Sequence, residues 1–266
     1  YKKKLITEMN NMVEESKALQ VELKNKQVEL NKKIEELNKK IASYNVQIDD
    51  IADMQVDVSN EIASLKKTIT YYKNQGCSPN QDINTCLGNS LPYDTAFWRP
   101  VTRGYVSSEY GLRWHPTQGT YKFHYGTDIG VGHQVTNVYA SAAGKVAVIE
   151  NTNSNSCGGN YVIIHHNIKG TDYSSAYFHM EKVYVSIGQQ VTKDTVLGLA
   201  GGNRYSAPGY TPWDKCSTGQ HVHLTLARGL QLTVDSLYAN SFNSRTMVNF
   251  PPVGSGRYFN DRTTKY

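Results

Sequence analysis

The stretch Gln220-His221-Val222-His223-Leu224-Thr225-Leu226 alternates polar and apolar side chains. Alternation with a period of two predicts a β-strand that is buried on one face. Residues i and i+2 of a strand point to the same face, so His221 and His223 can reach one common site. The segment therefore predicts a strand that directs two histidines toward a single centre.

Two further histidine-bearing segments precede this strand. They are His124-Tyr125-Gly126-Thr127-Asp128 and Tyr177-Phe178-His179-Met180. His124 and Asp128 are four residues apart with Gly126 between them, so an extended or turning backbone can direct both inward. Imidazole and carboxylate are ligands of Zn²⁺, and a catalytic zinc keeps three protein ligands and one open position. His124, Asp128 and one of the two strand histidines are candidate ligands, and spacing alone leaves the choice of that histidine open.

Together, these segments resemble the lysostaphin-like metallopeptidases, the M23 or LytM-type zinc endopeptidases that cut peptide cross-links of bacterial peptidoglycan. That family carries His-x-x-x-Asp, a middle Tyr-x-His-Leu-like segment and a final His-x-His. The resemblance covers about residues 96 to 230, with further similar runs at 108–116, 119–124, 138–146 and 187–191. One departure is the connection between Gly198 and His221, which is longer than the Gly-rich connection of the family and is expected to form a wall of the groove.

The resemblance implies a role for each motif residue. His124, Asp128 and His223 would hold one Zn²⁺ per chain, and His179 and His221 would be the catalytic histidines that handle protons. Zinc lowers the pKa of bound water from 15.7 to roughly 7 and polarises a carbonyl. A histidine titrates near that range, so it can accept a proton and return it to the leaving amine. The implied activity is a zinc-dependent endopeptidase in which zinc-activated water attacks the scissile carbonyl of a peptidoglycan cross-link.

Other side chains have weaker claims to the site. Tyr121 and His115 match positions near the family's groove and are candidate substrate-binding residues. His165 and His166 follow the strand-like run Tyr161-Val162-Ile163-Ile164 and are expected to be structural. A different class of function is a non-catalytic coiled-coil regulator of other cell-wall hydrolases, since some relatives have lost their ligands. Retention of all five motif residues favours the enzyme.

The first 74 residues contain neither proline nor glycine, and from Leu30 onward they carry an apolar seam with alternating steps of four and three. The seam consists of Leu30, Ile34, Leu37, Ile41, Tyr44, Ile48, Ile51, Gln55, Val58, Ile62, Leu65, Ile69 and Tyr72. This heptad pattern predicts a coiled coil, with a change of phase near residues 26–28. A long helix with one apolar stripe needs a partner, so a homodimer is the simplest expectation. The alternative is a solvated charged helix.

Four cysteines indicate the compartment. Cys77 and Cys86 are close in sequence, which favours a bond between them and leaves Cys157 to pair with Cys216, although four cysteines allow three pairings. A thiolate metal site is the rival interpretation, but there is no Cys-x-x-Cys. Disulfides favour an oxidising, extracytoplasmic compartment such as the periplasm or cell envelope.

The sequence therefore predicts an α+β chain: a long N-terminal coiled-coil helix followed by a mainly antiparallel β peptidase domain. The expected divisions are the helix at 1–74, a linker with a disulfide loop at 75–95, the zinc metallopeptidase domain at 96–240 and a C-terminal extension at 241–266. Strands are expected at 144–150, 161–166, 174–179, 195–200 and 220–227. The net charge of +5 is compatible with peptidoglycan as partner, and the nearly balanced helix gives no reason to expect nucleic-acid binding. Neither a signal peptide nor a membrane span is visible, so a membrane anchor would lie upstream.

Overall fold

A computed structural model describes residues 2–74, 77–78, 81, 86, 91–115, 119–153, 157–202, 214, 216–254 and 256–263. The chain forms two compact units, Tyr1–Ala52 and Asp53–Tyr266. Most of the predicted linker and residues 203–213 of the long connection lie outside the described residues. The expectation that this connection forms a wall of the groove concerns mainly those residues.

The N-terminal helix α1 spans Lys2–Asn74, which confirms the predicted long helix. Residues four apart are neighbours on a helix, and three such ion pairs lie on its surface. They are Lys26–Glu22, Lys33–Glu29 and Lys39–Glu35. The apolar seam is exposed from Leu30 to Ile41, and the seam side chains at 44–58 lie outside the described set. None of the described helices is both long and apolar enough to cross a bilayer.

The rest of the regular structure is almost entirely β. The strands are β1 (Tyr93–Asp94), β2 (Tyr105–Ser108), β3 (Gly111–Trp114), β4 (Tyr121–His124), β5 (Thr127–Gly130), β6 (Asn137–Tyr139), β7 (Gly144–Glu150), β8 (Asn160–Ile168), β9 (Thr171–Val183), β10 (Gln190–Val191), β11 (Val196–Ala200), β12 (His221–Arg228) and β13 (Ser241–Phe242). A short helix α2 (Val234–Ala239) and a 3₁₀ turn (Ser244–Thr246) follow β12. Five of these strands coincide with the predicted ones to within a few residues.

Eleven of the described strands form one sheet. Its main path runs β10-β7-β8-β9-β12-β5-β2, while β3 and β4 form a separate two-stranded ribbon. Every pairing along this path is antiparallel, and the short β1 pairs with β8 in parallel. The mainly antiparallel β domain predicted from the sequence is therefore confirmed.

The sheet is buried on both faces because its central strands carry apolar side chains on both sides. In β8, Val162 and Ile164 belong to one hydrophobic cluster, whereas Tyr161 and Ile163 belong to another. This division follows from the alternation of side chains across a strand. Helix α2 covers the second cluster with Leu237, which is fully buried.

Within the second unit, the last turns of α1 contact the β domain. The Thr68 hydroxyl donates a hydrogen bond of 3.2 Å to the Ala147 carbonyl. Tyr72 is buried against Cys77, which forms a disulfide with Cys86. These contacts place the final helical turns in the same compact unit as the sheet, although the sequence pattern assigns them to the coiled coil.

The C-terminal residues pack on the sheet rather than forming a separate unit. Phe250 and Phe259 join the main hydrophobic cluster, and the Gly104 and Phe259 backbones form an isolated bridge. Arg262 donates to the carbonyl oxygens of Arg99 and Ala140, at 2.7 Å in each case. The predicted C-terminal extension at 241–266 therefore packs as part of the β domain over its described length.

Two fully buried histidines in β8 have structural surroundings. His165 Nε2 donates to the Gln231 carbonyl oxygen at 2.8 Å, and His166 Nδ1 donates to the Ala143 carbonyl oxygen at 2.8 Å. Burial is the main reason that the pKa of each falls to about 4. Both rings are therefore neutral in the folded protein at pH 5, where they would be mostly protonated in the unfolded chain.

We expect mild acid to destabilise the fold through these histidines. A lowered folded-state pKa means that the unfolded chain binds more protons between pH 6.5 and pH 4, so stability is complete above this window and is lost as pH falls through it. For one such group the free energy of unfolding should fall by about 2 kcal/mol between pH 7 and pH 5. Urea unfolding with a chelator present measures this change, and His165→Gln should reduce it by about the contribution of one histidine. An unchanged pH dependence in that variant would contradict the assignment.

Candidate active site

The strand register brings the first and last histidine motifs together. β12 pairs with β5 so that His223 lies directly opposite Asp128. His124 is the last residue of β4 and the only buried residue of that strand. Only two residues separate β4 from β5, so His124 and Asp128 lie close together in the same pocket. The alternation of side chains along β12 and its pairing with β5 therefore bring His223, Asp128 and His124 to one point.

Three ligand-type atoms meet at this point. His124 Nε2 lies 3.0 Å from Asp128 Oδ1 and 2.9 Å from His223 Nδ1, and His223 Nδ1 lies 3.0 Å from the same Asp128 oxygen. All three residues are buried, and they form a group that could hold a metal ion. The atoms are close enough together for one ion with bonds of about 2.0–2.2 Å. We call His124, Asp128 and His223 the ligand triangle.

Neighbouring groups determine which ring nitrogen faces the triangle. His124 Nδ1 donates to the Glu109 carbonyl oxygen at 2.7 Å, which leaves Nε2 as the bare nitrogen. His223 Nε2 lies 2.9 Å from the Thr225 hydroxyl oxygen, which leaves Nδ1 directed at Asp128. A metal-binding histidine commonly donates its other N–H to an oxygen in this manner. The donor set and its supporting contacts therefore fit a bound divalent cation.

Protonation states in the triangle favour metal binding as well. Burial, opposed in part by the Asp128 hydrogen bond, lowers the pKa of His223 to about 3. Burial by itself would raise the pKa of Asp128, but His221 and His124 together with its hydrogen bonds hold that pKa well below the usual range. A neutral imidazole and an ionised carboxylate are the forms that ligate metals.

Close packing restricts the position of His223. A Cβ added at Gly126 would overlap the His223 ring and would lie 2.6 Å from the Leu224 carbonyl oxygen. Glycine is therefore required at the turn between the first two ligand residues. The presence of glycine at position 126 therefore has a steric cause, which the spacing of the motif does not show.

Two further histidines lie beside the triangle. The rings of His179 and His221 are 4.4 Å apart between centroids, and His221 Nε2 lies 3.7 Å from Asp128 Oδ1. His221 Nδ1 donates to the Gly219 carbonyl oxygen at 2.8 Å. Because His223 makes the closer contacts, the geometry favours His223 over His221 as the third ligand.

The surroundings push the pKa values of these two histidines apart. Burial and the neighbouring His179 lower the pKa of His221. Burial also acts to lower the pKa of His179, but Asp214 outweighs it, and the pKa of His179 is raised. Titratable pairs whose pKa values diverge are typical of acid and base partners in catalysis. His179 also has a positive φ of 59°, an uncommon backbone conformation for a residue other than glycine.

The ligand triangle, His179 and His221 form the floor of an open groove of about 800 Å³. The β3–β4 ribbon contributes Arg113, Trp114 and Lys122 to its lining, and α2 contributes Tyr238. Arg113 reaches the floor, where its guanidinium lies 3.3 Å from Asp128 Oδ2. The groove therefore combines a wall of basic and aromatic residues with a floor of histidines.

The two residues predicted to bind substrate differ in their position relative to this groove. His115 is part of its lining, whereas Tyr121 lies on the exposed face of the ribbon, where its ring packs 5.4 Å from that of Trp114. Cys157 is bonded to Cys216 at the groove, and both predicted pairings are present in the structure. Sequence reasoning missed Arg113 and Asp214 as neighbours of the site. Arg113 stands in a run that matched the family, but Asp214 has no pattern that could have marked it.

Comparison with known proteins shows which family the site resembles. Residues 122–235 match the model of Peptidase family M23, and they include the ligand triangle, His179 and His221. The chain is 34% identical over 113 residues to peptidoglycan DD-endopeptidase ShyB of Vibrio cholerae, covering 42% of this chain and 24% of ShyB. It is 32% identical over 176 residues to ShyA of the same organism, covering 63% of this chain and 35% of ShyA.

Other similarities are shorter or more distant. The chain is 36% identical over 93 residues to protease LasA of Pseudomonas aeruginosa, covering 34% of this chain and 19% of LasA. The chain thus matches about a fifth to a third of the length of these relatives. Residues 122–235 of the chain are therefore similar to Peptidase family M23.

Proposed function

We propose that this protein is a zinc-dependent endopeptidase that hydrolyses peptide cross-links of bacterial peptidoglycan. The observation that carries the proposal is the convergence of His124, Asp128 and His223, with His179 and His221 beside them, on the floor of one open groove. When bound, zinc supplies a Lewis acid that polarises a carbonyl and lowers the pKa of a bound water. A buried pair of imidazoles and one carboxylate suits that ion.

His221 and His179 have different roles in proton transfer. His221 has a lowered pKa and donates through Nδ1 to a backbone carbonyl, so its Nε2 is available to accept a proton beside Asp128. His179 has a raised pKa, which makes it the better proton donor of the two. Donation to the nitrogen of the leaving amine is required for amide scission, and we assign that step to His179.

The substrate class follows from the relatives and from the groove. ShyA and ShyB are named peptidoglycan DD-endopeptidases. Arg113 and Lys122 line the groove, and such cations attract the carboxylates of peptide stems. For an extracytoplasmic enzyme we propose the D-alanyl–diaminopimelate bond as the cross-link that is cut. The two disulfides support an oxidising compartment, the periplasm or cell envelope.

Purified sacculi provide the direct test. The zinc-loaded chain is incubated with peptidoglycan, and the muropeptides are separated and identified by mass spectrometry. We expect cross-linked dimers to decrease and monomers to accumulate while glycan strands stay intact. A chelator should stop the reaction and zinc should restore it. Unchanged muropeptides at saturating zinc would overturn the proposal. If the chain left the muropeptides unchanged but stimulated a separate hydrolase, that result would favour the non-catalytic regulator.

We also propose that the chain consists of a helix at 1–74, a linker at 75–95, a catalytic domain at 96–240 and a C-terminal extension at 241–266 that packs on the catalytic domain. We further propose that α1 self-associates as a parallel coiled coil. The support for self-association is the row of exposed apolar side chains at heptad spacing, in which Ile34 is 47% and Leu37 57% exposed. A stripe of this kind is covered when two helices pair. A homodimer would then present two groups of catalytic residues.

Analytical ultracentrifugation tests the coiled coil. We expect the chain to sediment as a dimer and Ile34→Lys with Leu37→Lys to sediment as a monomer, because two charges in the seam oppose its burial. Exchanging the surface residue Lys39 for alanine is the matched control and should leave the dimer intact, since exposed ion pairs contribute little. A wild-type monomer at concentrations well above those in the cell would contradict self-association.

A further inference from the structure

A buried carboxylate contacts His179 from behind. Asp214 is only 1% exposed, and its Oδ2 lies 2.6 Å from Nδ1 of His179. The imidazole therefore donates a hydrogen bond from its Nδ1–H group to Asp214, and its Nε2 carries no proton when the ring is neutral. No motif of the sequence includes Asp214, which belongs to the long connection between β11 and β12.

The same stretch of chain supports both proton-handling histidines. Two residues after Asp214, Cys216 is bonded to Cys157. The carbonyl oxygen of Gly219, three residues further on, accepts a hydrogen bond from the Nδ1–H group of His221. Asp214 therefore orients His179 through its side chain, and Gly219 orients His221 through its backbone. A disulfide anchors this stretch beside the site.

Cys157, the other cysteine of this disulfide, precedes a residue that contacts the backbone of His179. The His179 amide donates to the Gly158 carbonyl oxygen at 2.9 Å, directly after Cys157. A Cβ at Gly159 would lie 3.3 Å from Asp214 Oδ2 and 3.4 Å from the His179 Cα, so the three residues pack tightly. The left-handed backbone of His179 is held within this packing. Such conformations persist where surrounding structure determines them.

We propose that Asp214 is a positioning residue for His179, which holds the ring in one orientation and in the Nδ1–H tautomer so that Nε2 faces the groove floor. This inference deepens the proposed function, on which its kinetic part rests. Asp214 acts through His179 and does not itself meet the substrate. Groups that orient a functional histidine in this way commonly change activity about 10- to 100-fold when they are removed.

A double-mutant cycle distinguishes positioning from a general structural role. We expect Asp214→Ala to lower kcat about 10- to 100-fold with KM and zinc content nearly unchanged. In a His179→Gln background the same change should have little further effect on kcat, because the group through which Asp214 acts is already missing. A reduction that persists undiminished in that background would overturn the proposal, as would wild-type kcat in Asp214→Ala.

Nitrogen NMR of the zinc-loaded protein tests the positioning without any assay of hydrolysis. The spectra are recorded at a pH at which His179 is neutral, and His179→Gln identifies its signals. In the wild-type protein Nδ1 should carry the proton, and in Asp214→Ala the proton should redistribute toward Nε2. An unchanged tautomer in a folded variant would overturn the inference. If the protein proved inactive on peptidoglycan, this readout would still decide the role of Asp214.

Discussion

Replacing Asp128 by alanine is expected to abolish metal binding and hydrolysis together. Asp128 Oδ1 is 3.0 Å from both histidine nitrogens of the ligand triangle, and Oδ2 is 3.3 Å from the Arg113 guanidinium. Without this carboxylate, two neutral imidazoles would have to hold a dication beside an uncompensated arginine. Zinc content should fall from about one per chain to background, and the rate of muropeptide release should drop by about a thousandfold or more, since the ion supplies the activation of water.

The matched control is Asp194→Ala. Asp194 is an exposed carboxylate 2.8 Å from Lys193, and removing an ion pair of this kind on the surface has little effect. Both variants are measured for zinc by elemental analysis and for activity on sacculi. Stoichiometric zinc in Asp128→Ala, or near wild-type release of muropeptides, would refute the assignment of the ligand triangle.

Replacing His179 by alanine is expected to separate chemistry from metal binding. The ring lies outside the ligand triangle, so zinc content should remain near one per chain. Loss of a positioned proton donor lowers kcat by about 10²- to 10⁴-fold, which is the typical contribution of general acid–base catalysis. The expected loss exceeds that of Asp214→Ala, because Asp214 acts only through this ring. Steady-state kinetics on a defined cross-linked muropeptide measures the effect.

His165→Gln is the appropriate control for losing a buried histidine. His165 donates to the Gln231 carbonyl oxygen and lies away from the groove, and a glutamine amide can make the same donation. Its kcat should therefore match that of the wild type at neutral pH. If His179→Ala retained wild-type kcat, or lost its zinc, the proposed role of His179 in proton transfer would be wrong.

Much of the fold could be predicted because its signals are local. The helix α1 follows from 74 residues without glycine or proline, and the strand β12 follows from the alternation of polar and apolar residues between 221 and 226. The prediction that β12 is buried on one face only was wrong, because residues 222–227 are all buried in the sheet. The five motif residues could be named because each motif is short and its spacing carries the chemistry. Sequence proximity also favoured the two disulfide pairings that the structure contains, although four cysteines allow three pairings.

The choice between His221 and His223 as the third ligand could not be made from the sequence, because it depends on distances across the sheet. Spacing allowed either His221 or His223 to complete the ligand set, since both face the same side of β12. The antiparallel register with β5 places His223 opposite Asp128, and His221 lies farther from that carboxylate. A register is set by pairing between distant segments, and no single segment contains it.

The sequence by itself thus determined the class of elements and the cysteine framework, and it indicated the residues that we propose as metal ligands. Only the tertiary structure placed Asp214 against His179, a contact between residues 35 positions apart, and Gly219 against His221. The physical reason is that periodicity reports how a segment exposes its own side chains. The partner of a buried polar group is decided by how remote segments pack, and an irregular connection has no period from which that packing can be inferred.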